Sequence, residues 1–349
     1  MKYNLINQDA FEAMSQMPDE SFDACLCDPP YGIGFMGKGW DHGVPSEVVW
    51  AELLRVLKPG AFLIAFGGTR TYHRLTCAVE DAGFEIRDCL MWVYGTGFPK
   101  SHNISKAIDK AAGAERKVVG RKTGRGATPV SDMRGGKMHA GGTIAGAFDA
   151  SAITAPATPL AKQFDGYGTA LKPAWEPCIL AMKPLDRTFV HSAATRGVAG
   201  LNIDDCRVAT GEQALGRWPA NVIHDGSEEV TGLFPASRAG SASRFFYCAK
   251  ASKAEKNAGC KTKAQGNPHP TVKPLALCKY LATLILPPDA RARKIIVPFS
   301  GSGSEMLGAA EAGWEDVTGI ESDTESGYIA VAEARLKHYQ ESLNDESTT

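Results

Sequence analysis

The sequence lacks the features that would place it in a special class of protein. No run approaches the ~18 unbroken apolar residues of a membrane span, and residues 1–9 lack the basic start and apolar run of a signal peptide. None of the nine cysteines forms a C-x-x-C pair, and no cysteine–histidine spacing matches a zinc motif. We therefore expect a cytoplasmic protein with reduced thiols, no membrane association and no metal.

Net charge is also nearly absent, at −1 over 349 residues, which argues against a generic polyanion-binding protein. The charges are unevenly distributed, however. Residues 98–140 carry ten basic and three acidic side chains, residues 238–263 carry seven and one, and residues 304–349 carry two and eleven. The two basic segments are suited to a phosphate backbone, although the same pattern is typical of solvated loops.

The hydrophobic and charged fractions, 44% and 22%, are those of an ordinary globular protein, and the length predicts about two domains. Apolar runs alternate with helical patterns in residues 1–100 and again in 268–349, which predicts a parallel α/β sheet. The middle, residues 101–267, is mixed. Within it, the small residues of 141–161 predict a mobile loop, because they bury too little area to offset backbone entropy.

Apolar periodicity, with proline and glycine as breakers, locates the individual elements. We expect strands at residues 21–27, 61–66, 86–94, 174–182, 294–297 and 317–320. We expect helices from Pro45-Ser46 to Pro59-Gly60, over 69–82 with Gly83 as a left-handed cap, over 272–286, from the glycines after 297 to about 312, and through Tyr328, Ala332 and Leu336.

A glycine-rich turn separates the predicted strand at 294–297 from a helix, which brings backbone amides to a nucleotide or cofactor. The turn lacks the lysine of a P-loop, and Met306 stands where a dinucleotide fingerprint needs its third glycine. Glu321 ends the next strand, at the place of a ribose-binding acid. The alternative is a tight turn that simply requires glycine. The turn consists of Pro298, Phe299, Ser300, Gly301, Ser302 and Gly303.

The strongest signal lies where the first buried strand ends and two prolines fix the backbone. A carboxylate, a main-chain carbonyl and an aromatic ring then face one crevice, which suits an exocyclic amine on a planar base. The carboxylate and the carbonyl would accept the two amine protons, and the ring would stack on the base. A plain turn with a capping aspartate would not require the tyrosine. The motif consists of Asp28, Pro29, Pro30 and Tyr31.

Together, DPPY and FSGSG resemble the motifs of amino-group DNA methyltransferases that use S-adenosylmethionine. Their order, with DPPY first, is similar to that of the beta class, and WVYGTGFPKSHNISKAID and RFFYCAKASK resemble segments of phage members. The resemblance implies a circularly permuted Rossmann-like methyltransferase fold with an inserted target-recognition region. It divides the chain into a catalytic half (1–100), an insertion (101–173), a core strand (174–184), a target-recognition region (185–267) and a cofactor-binding half (268–349).

The resemblance also implies roles for single residues. The DPPY residues would be catalytic, and aspartate before Pro-Pro-Tyr favours the N-6 amine of an adenine flipped out of double-stranded DNA. Asp9 would contact the adenine of the cofactor and Glu321 its ribose, beside the glycine-rich turn. Val297 departs from the family pattern, which has an aspartate there to hold the amino-acid end of the cofactor. Lys273 of HPTVKP, or a main-chain group, would substitute for it.

Contacts to DNA are expected from the target-recognition region, and its basic end is expected to contact phosphates. Arg217 precedes this end, and its alternative is a structured turn. The candidates are Arg217, Arg238, Arg244, Lys250 and Lys253. Trp92, Tyr94 and Phe98 either form the second face of the base stack or belong to the core. A homodimer and a separate restriction endonuclease are both compatible with the sequence.

Other functions stay open at this point. They include transfer to the N-4 amine of cytosine, an RNA base or protein amide as substrate, and a DNA-binding protein that has lost catalysis, of which Val297 would be the sign. Transfer to cytosine C-5 would need Cys178 as a nucleophile after Pro177, but this dipeptide lies in a strand-like run typical of core. A nicotinamide-dependent dehydrogenase is disfavoured, because Met306 stands where the dinucleotide fingerprint needs its third glycine.

Overall fold

The computed structural model describes residues 2–34, 41–95, 97, 101–121, 152–210, 213–232, 234, 236–237, 240–241, 245–260, 266–288, 292–322 and 327–346. The chain divides into two compact units: Met1–Thr96 with Ala174–Thr349, and Gly97–Pro173. In the described part of the chain, no helix is both long and apolar enough to cross a membrane.

The strands alternate with helices along most of the chain. The strands are β1 (Lys2–Asn7), β2 (Phe22–Cys27), β3 (Leu57–Phe66), β4 (Glu85–Val93), β5 (Val118–Arg121), β6 (Ala152–Thr154), β7 (Trp175–Met182), β8 (Val208–Thr210), β9 (Gln213–Arg217), β10 (Val222–His224), β11 (Ala236–Ser237), β12 (Gly240–Ser241), β13 (Phe246–Tyr247), β14 (Lys294–Pro298) and β15 (Asp316–Glu321). The helices are α1 (Ala10–Ser15), α2 (Glu47–Val56), α3 (Tyr72–Asp81), α4 (Ile104–Ala111), α5 (Pro159–Gln163), α6 (Phe189–Arg196), α7 (Glu228–Thr231), α8 (Lys253–Asn257), α9 (Leu275–Leu284), α10 (Ser304–Ala312) and α11 (Tyr328–Glu346), with a 3-10 turn at Asp204–Cys206.

The larger unit is built on a nine-stranded sheet of order β1-β15-β14-β2-β3-β7-β4-β10-β13. Neighbouring strands are parallel, except that β7 runs antiparallel to both β3 and β4. This arrangement confirms the predicted Rossmann-like α/β class. Because β1, β15, β14 and β2 are adjacent and parallel, the segments that follow them meet at one edge of the sheet.

Helices cover both faces of this sheet, which explains why β2 is buried along its whole length. On one face, Leu26 packs in a cluster with Leu277 of α9 and Met306 of α10. On the other, Cys25 belongs to a cluster that contains Leu53 of α2 and Leu75 of α3. The sheet that contains β2 is therefore the middle layer of a three-layer structure.

The start of β3 corrects one prediction. Helix α2 ends at Val56 and the strand begins at once, so that Pro59 and Gly60 lie inside it rather than before it. The pairing with β2 shifts register between Phe22 and Ala24, and Gly60 has φ +86°. A bulge of this kind tolerates a proline, which has no N–H to donate. This explains why Pro59 and Gly60 do not interrupt β3.

The second unit corrects another prediction. Residues 152–161 contain β6 and the start of α5, although their composition predicted a mobile loop. The carboxylate of Asp109 accepts hydrogen bonds from the backbone N–H of Ala157 and of Thr158 and pairs with Arg116 at 2.6 Å. This buried polar anchor replaces the apolar area that the segment lacks. Residues 141–151 lie outside the described residues.

Helices α9 and α10 approach so closely that Gly308 cannot carry a side chain. A Cβ at this position would lie 2.4 Å from the Cβ of Cys278 and 2.6 Å from its carbonyl carbon. We therefore expect Gly308→Ala to lower the free energy of unfolding by about 2 kcal/mol, since overpacking outweighs the gain in helix propensity. Urea denaturation measures this change. Glu311→Ala, on the same helix, is the control. A glycine such as Gly113 is unsuitable as a control because its φ of +63° would strain any side chain.

Candidate active site

A cavity of about 330 Å³ lies at the sheet edge where β1, β2, β14 and β15 end, which is the usual place for a ligand in an open α/β sheet. It brings together most residues of the two motifs. Those that line it are Asp9, Asp28, Pro29, Pro30, Tyr31, Phe299, Gly301 and Glu321. A small adjoining cavity is lined by Lys273, Ser300 and Ser302, among others. Pro298 and Gly303 line neither cavity.

The glycine-rich turn is held in a conformation that few residues adopt. Gly301 and Gly303 have φ +50° and +80°, and Phe299, which has a side chain, has φ +60°. A Cβ on Gly301 would lie 2.8 Å from His269 Nε2. A non-glycine residue at positive φ is strained and persists where the surroundings enforce it, commonly at ligand sites.

Two charged side chains fix this turn from outside. Glu321 Oε2 accepts a hydrogen bond from the Gly301 N–H at 2.7 Å. The buried guanidinium of Arg335, from α11, donates through Nη1 to the carbonyl of Ser302 at 2.7 Å and to Ser304 Oγ at 3.0 Å. The sequence indicated Glu321 but gave no sign of Arg335. Val297 stands where the family pattern has an aspartate, and it is fully buried in the apolar core.

The Asp28 carboxylate is bonded on both oxygens. Oδ1 accepts the hydroxyl of Tyr31 at 2.8 Å, and Oδ2 accepts Lys273 Nζ at 2.6 Å. Lys273 is only 5% exposed. Its burial lowers its pKa, but the nearby carboxylates of Asp28 and Glu176 outweigh this and raise the pKa above its ordinary value. The structure thus places Lys273, expected beside the cofactor, on the carboxylate of Asp28.

Glu176, on β7, completes this network, and the sequence prediction missed it. Its Oε2 lies 3.4 Å from Lys273 Nζ and accepts the Tyr31 hydroxyl at 3.2 Å, while Oε1 accepts the Tyr94 hydroxyl at 3.3 Å. The available signal was a single acid in the apolar run AWEPCILAM. Burial, together with Asp28 and Glu176, raises the pKa of Tyr31 well above its ordinary value, so the hydroxyl stays a donor.

A second unpredicted carboxyl, Glu305, lies in the first turn of α10 and is 4% exposed. Burial raises its pKa to about 7; Asp28 adds to the rise, and Lys273 and Arg335 oppose it. It lines the small cavity between the glycine-rich turn and Asp28. Near neutral pH this group is therefore partly protonated.

Two aspartates fix the loops on the other side of the large cavity. Asp9 caps α1, because its Oδ1 accepts the N–H of Phe11 at 2.9 Å and of Glu12 at 3.3 Å. Asp41 accepts the N–H of Gly32 at 2.8 Å and so holds the chain that leaves Tyr31. The structure thus places the predicted adenine contact, Asp9, at a helix N-terminus on the cavity wall.

The predicted DNA contacts are only partly covered by the described residues. Lys250 lies 3.6 Å above the ring of Tyr94, Lys253 is exposed at the start of α8, and Arg217 ends β9. Arg238 and Arg244 lie outside the described residues. The basic segment therefore reaches the network around Glu176 through Lys250.

The alternative roles of the nearby aromatic and thiol groups are less favoured by the structure. Trp92 and Tyr94 are 3% and 5% exposed and belong to the core, as the alternative interpretation held, and Phe98 lies outside the described residues. Cys178 is fully buried, and burial raises the pKa of its thiol well above the ordinary value. A buried, protonated thiol is a poor nucleophile, which agrees with the interpretation of Pro177-Cys178 as core.

Comparison with known proteins identifies the family. The model of the N6/N4 methyltransferase family, described as DNA methylase, matches residues 22–333. The chain belongs to this DNA methylase family. The residues matched include both motifs and the strand that carries Glu176.

The individual proteins to which the chain is similar share little of its sequence. The chain is 31% identical over 87 residues to the putative methylase YubD of Escherichia coli K12, and this match spans 23% of the chain but only 38% of YubD. Among solved structures, the M1.HpyAVI–SAM complex is 16% identical, with a TM-score of 0.44 over 95% of this chain and 99% of that one. The cytosine-N4-specific PvuII DNA methyltransferase is 11% identical, with a TM-score of 0.46 over 96% and 86%.

Proposed function

We propose that this DNA methylase transfers the methyl group of S-adenosylmethionine to the N-6 amine of an adenine flipped out of double-stranded DNA. The observation that carries the proposal is the joint wall of the large cavity. The DPPY turn forms one side and the glycine-rich turn with Glu321 forms the other. A base at Tyr31 and a cofactor at Glu321 would therefore meet within one space.

The cavity residues fit the proposed cofactor. Its volume, about 330 Å³, lies in the range of small-molecule sites. Asp9 and Glu321 offer carboxylate oxygens to adenine and ribose donors, and Phe299 and Ile320 offer apolar contact. Gly301 leaves room that a Cβ would take toward His269. When bound, S-adenosylmethionine supplies an electrophilic methyl group on a sulfonium.

The DPPY residues would prepare the amine for attack. Asp28 and the Pro29 carbonyl accept the two N–H groups and so orient the nitrogen lone pair, while the Tyr31 ring stacks on the base. Bound S-adenosylmethionine would supply the methyl group to this nitrogen and would itself be left as a neutral thioether. Asp28 and solvent would take the proton that the amine loses. Positioning and electrostatics supply most of the rate, without a covalent enzyme intermediate.

We also propose that Arg217, Lys250 and Lys253 contact DNA phosphates, together with Arg238 and Arg244 from outside the described residues. Lys250 and Lys253 are exposed. Phosphate contacts position the duplex but do not specify its sequence. Charge-reversing any of them should therefore weaken DNA binding and flatten its salt dependence without changing which base is methylated.

The test is transfer of tritiated methyl groups from S-adenosylmethionine to unmethylated DNA, followed by nucleoside analysis. Label in N-6-methyladenine supports the proposal. Label in N-4-methylcytosine keeps the family chemistry and overturns the choice of base. No label in DNA, with RNA and protein as parallel substrates, overturns the substrate class.

Glu321 supplies a prediction about cofactor affinity. We expect Glu321→Ala to weaken S-adenosylmethionine binding about 30-fold, because a charged acceptor is lost and the Gly301 N–H loses its partner. Isothermal titration calorimetry measures this. Glu341→Ala, on the exposed face of α11, is the control, and its affinity should equal that of the wild type. Unchanged affinity in Glu321→Ala would remove Glu321 from the cofactor site.

A further inference from the structure

The Asp28 carboxylate is already engaged by donors of the protein itself. Oδ1 accepts the Tyr31 hydroxyl at 2.8 Å, and Oδ2 accepts Lys273 Nζ at 2.6 Å. The proposed reaction requires Asp28 to accept an N–H of the target amine. A carboxylate oxygen can accept two hydrogen bonds, so the hydroxyl of Tyr31, whose ring is next to that amine in the proposed complex, does not exclude the substrate from Oδ1. It does take part of the acceptor capacity of Oδ1 that the amine would use.

Glu176 offers the competing hydroxyl a second acceptor. Its Oε2 lies 3.2 Å from the Tyr31 hydroxyl, against 2.8 Å for Asp28 Oδ1. A phenol has one proton and donates it to one acceptor at a time. Both acceptors lie within hydrogen-bonding distance, with the Asp28 contact the shorter, so a rotation of the O–H bond is enough to exchange one acceptor for the other.

The position of Glu176 is itself fixed. Its Oε1 accepts the Tyr94 hydroxyl at 3.3 Å, and Oε2 also lies 3.4 Å from Lys273 Nζ. The side chain is 22% exposed, so most of its surface is enclosed by the protein. The carboxylate is thus held with one oxygen toward the Tyr31 hydroxyl, on a strand of the sheet rather than on a loop.

We propose that Glu176 is a positioning residue that takes the Tyr31 hydroxyl from Asp28 when the target base binds, and so frees Asp28 Oδ1 for the amine. The inference rests on the proposed function. The Tyr31 ring stays in place for stacking, and only the hydroxyl proton changes acceptor. Lys273 remains hydrogen-bonded to Oδ2 throughout.

The test is a cycle of variants in single-turnover methyl transfer with saturating cofactor and DNA. We expect Glu176→Ala to lower the rate about tenfold, the size of one hydrogen bond. Tyr31→Phe keeps the ring and removes the competing hydroxyl. The double variant Glu176→Ala with Tyr31→Phe should therefore run within about threefold of Tyr31→Phe alone, so the second substitution cancels the loss caused by the first.

Glu176→Gln separates the role of Glu176 as an acceptor from its role in neutralising the charge of Lys273. It also provides a second test should the alanine variant misfold. The amide oxygen still accepts the Tyr31 hydroxyl but no longer neutralises Lys273. We expect its rate to lie within about threefold of wild type. If Glu176 serves only to neutralise Lys273, Gln and Ala variants lose rate alike and Tyr31→Phe restores neither. That result overturns the inference.

The remaining outcomes are distinguishable from a failure of the proposed function. If wild-type protein methylates DNA and Glu176→Ala is as fast, the inference is wrong and the function stands. If wild-type protein binds S-adenosylmethionine but labels no DNA, the proposed function is wrong and the inference falls with it. Thermal unfolding of each variant shows whether a lost rate reflects lost structure.

Discussion

Asp28→Ala should reduce methyl transfer about 10³-fold while the affinity for S-adenosylmethionine changes less than threefold. The carboxylate is the acceptor that would orient the amine, and its removal leaves the Pro29 carbonyl alone to do so. The cofactor contacts proposed for Asp9, Glu321 and the glycine-rich turn are untouched. Single-turnover transfer of tritiated methyl groups measures the first effect, and calorimetry measures the second.

The alanine variant also leaves Lys273 buried without its nearest carboxylate, since Glu176 remains only at 3.4 Å. A loss of stability could then imitate a loss of catalysis. Asp28→Asn keeps an acceptor oxygen of the same shape and should retain more activity than alanine. Asp81→Ala, exposed at the end of α3, is the matched surface control. Full turnover in Asp28→Ala would remove Asp28 from the mechanism.

Much of this site could be predicted because strand order brings sequence-distant motifs together. DPPY follows β2, the glycine-rich turn follows β14 and Glu321 ends β15, and each motif has a local signal of its own in prolines, glycines or an acid after an apolar run. Adjacent parallel strands then place all three at one edge. The α/β alternation gave the fold class for the same reason: periodicity is a local property.

The network behind the motifs could not be predicted, because its members meet only through tertiary packing. Glu176 comes from the antiparallel strand β7, Glu305 from α10 and Arg335 from α11, and no pattern in the sequence shows that these three side chains meet behind the motifs. The stretch 152–161 was predicted wrongly for a related reason. Its order depends on Asp109, more than 40 residues away, rather than on its own composition.

Glu305 should make the stability of the protein depend on pH in a way that Glu305→Gln removes. Burial raises the pKa of Glu305 to about 7, against about 4.5 for an exposed glutamate. The folded state therefore binds this proton more tightly than the unfolded state. This proton adds about 3 kcal/mol to the free energy of unfolding below pH 4.5, and the contribution is lost as the pH rises through 7.

Glutamine is neutral at every pH and resembles the protonated acid. The free energy of unfolding of Glu305→Gln, relative to wild type, should therefore rise by about 3 kcal/mol between pH 4.5 and pH 8. Urea denaturation of both proteins across this range measures the difference. Glu311→Gln, on the same helix but partly exposed beside Lys279, is the control for replacing a carboxylate on α10. A constant difference for Glu305→Gln would mean that Arg335 and Lys273 hold the carboxylate ionised, so that their positive charges outweigh its burial.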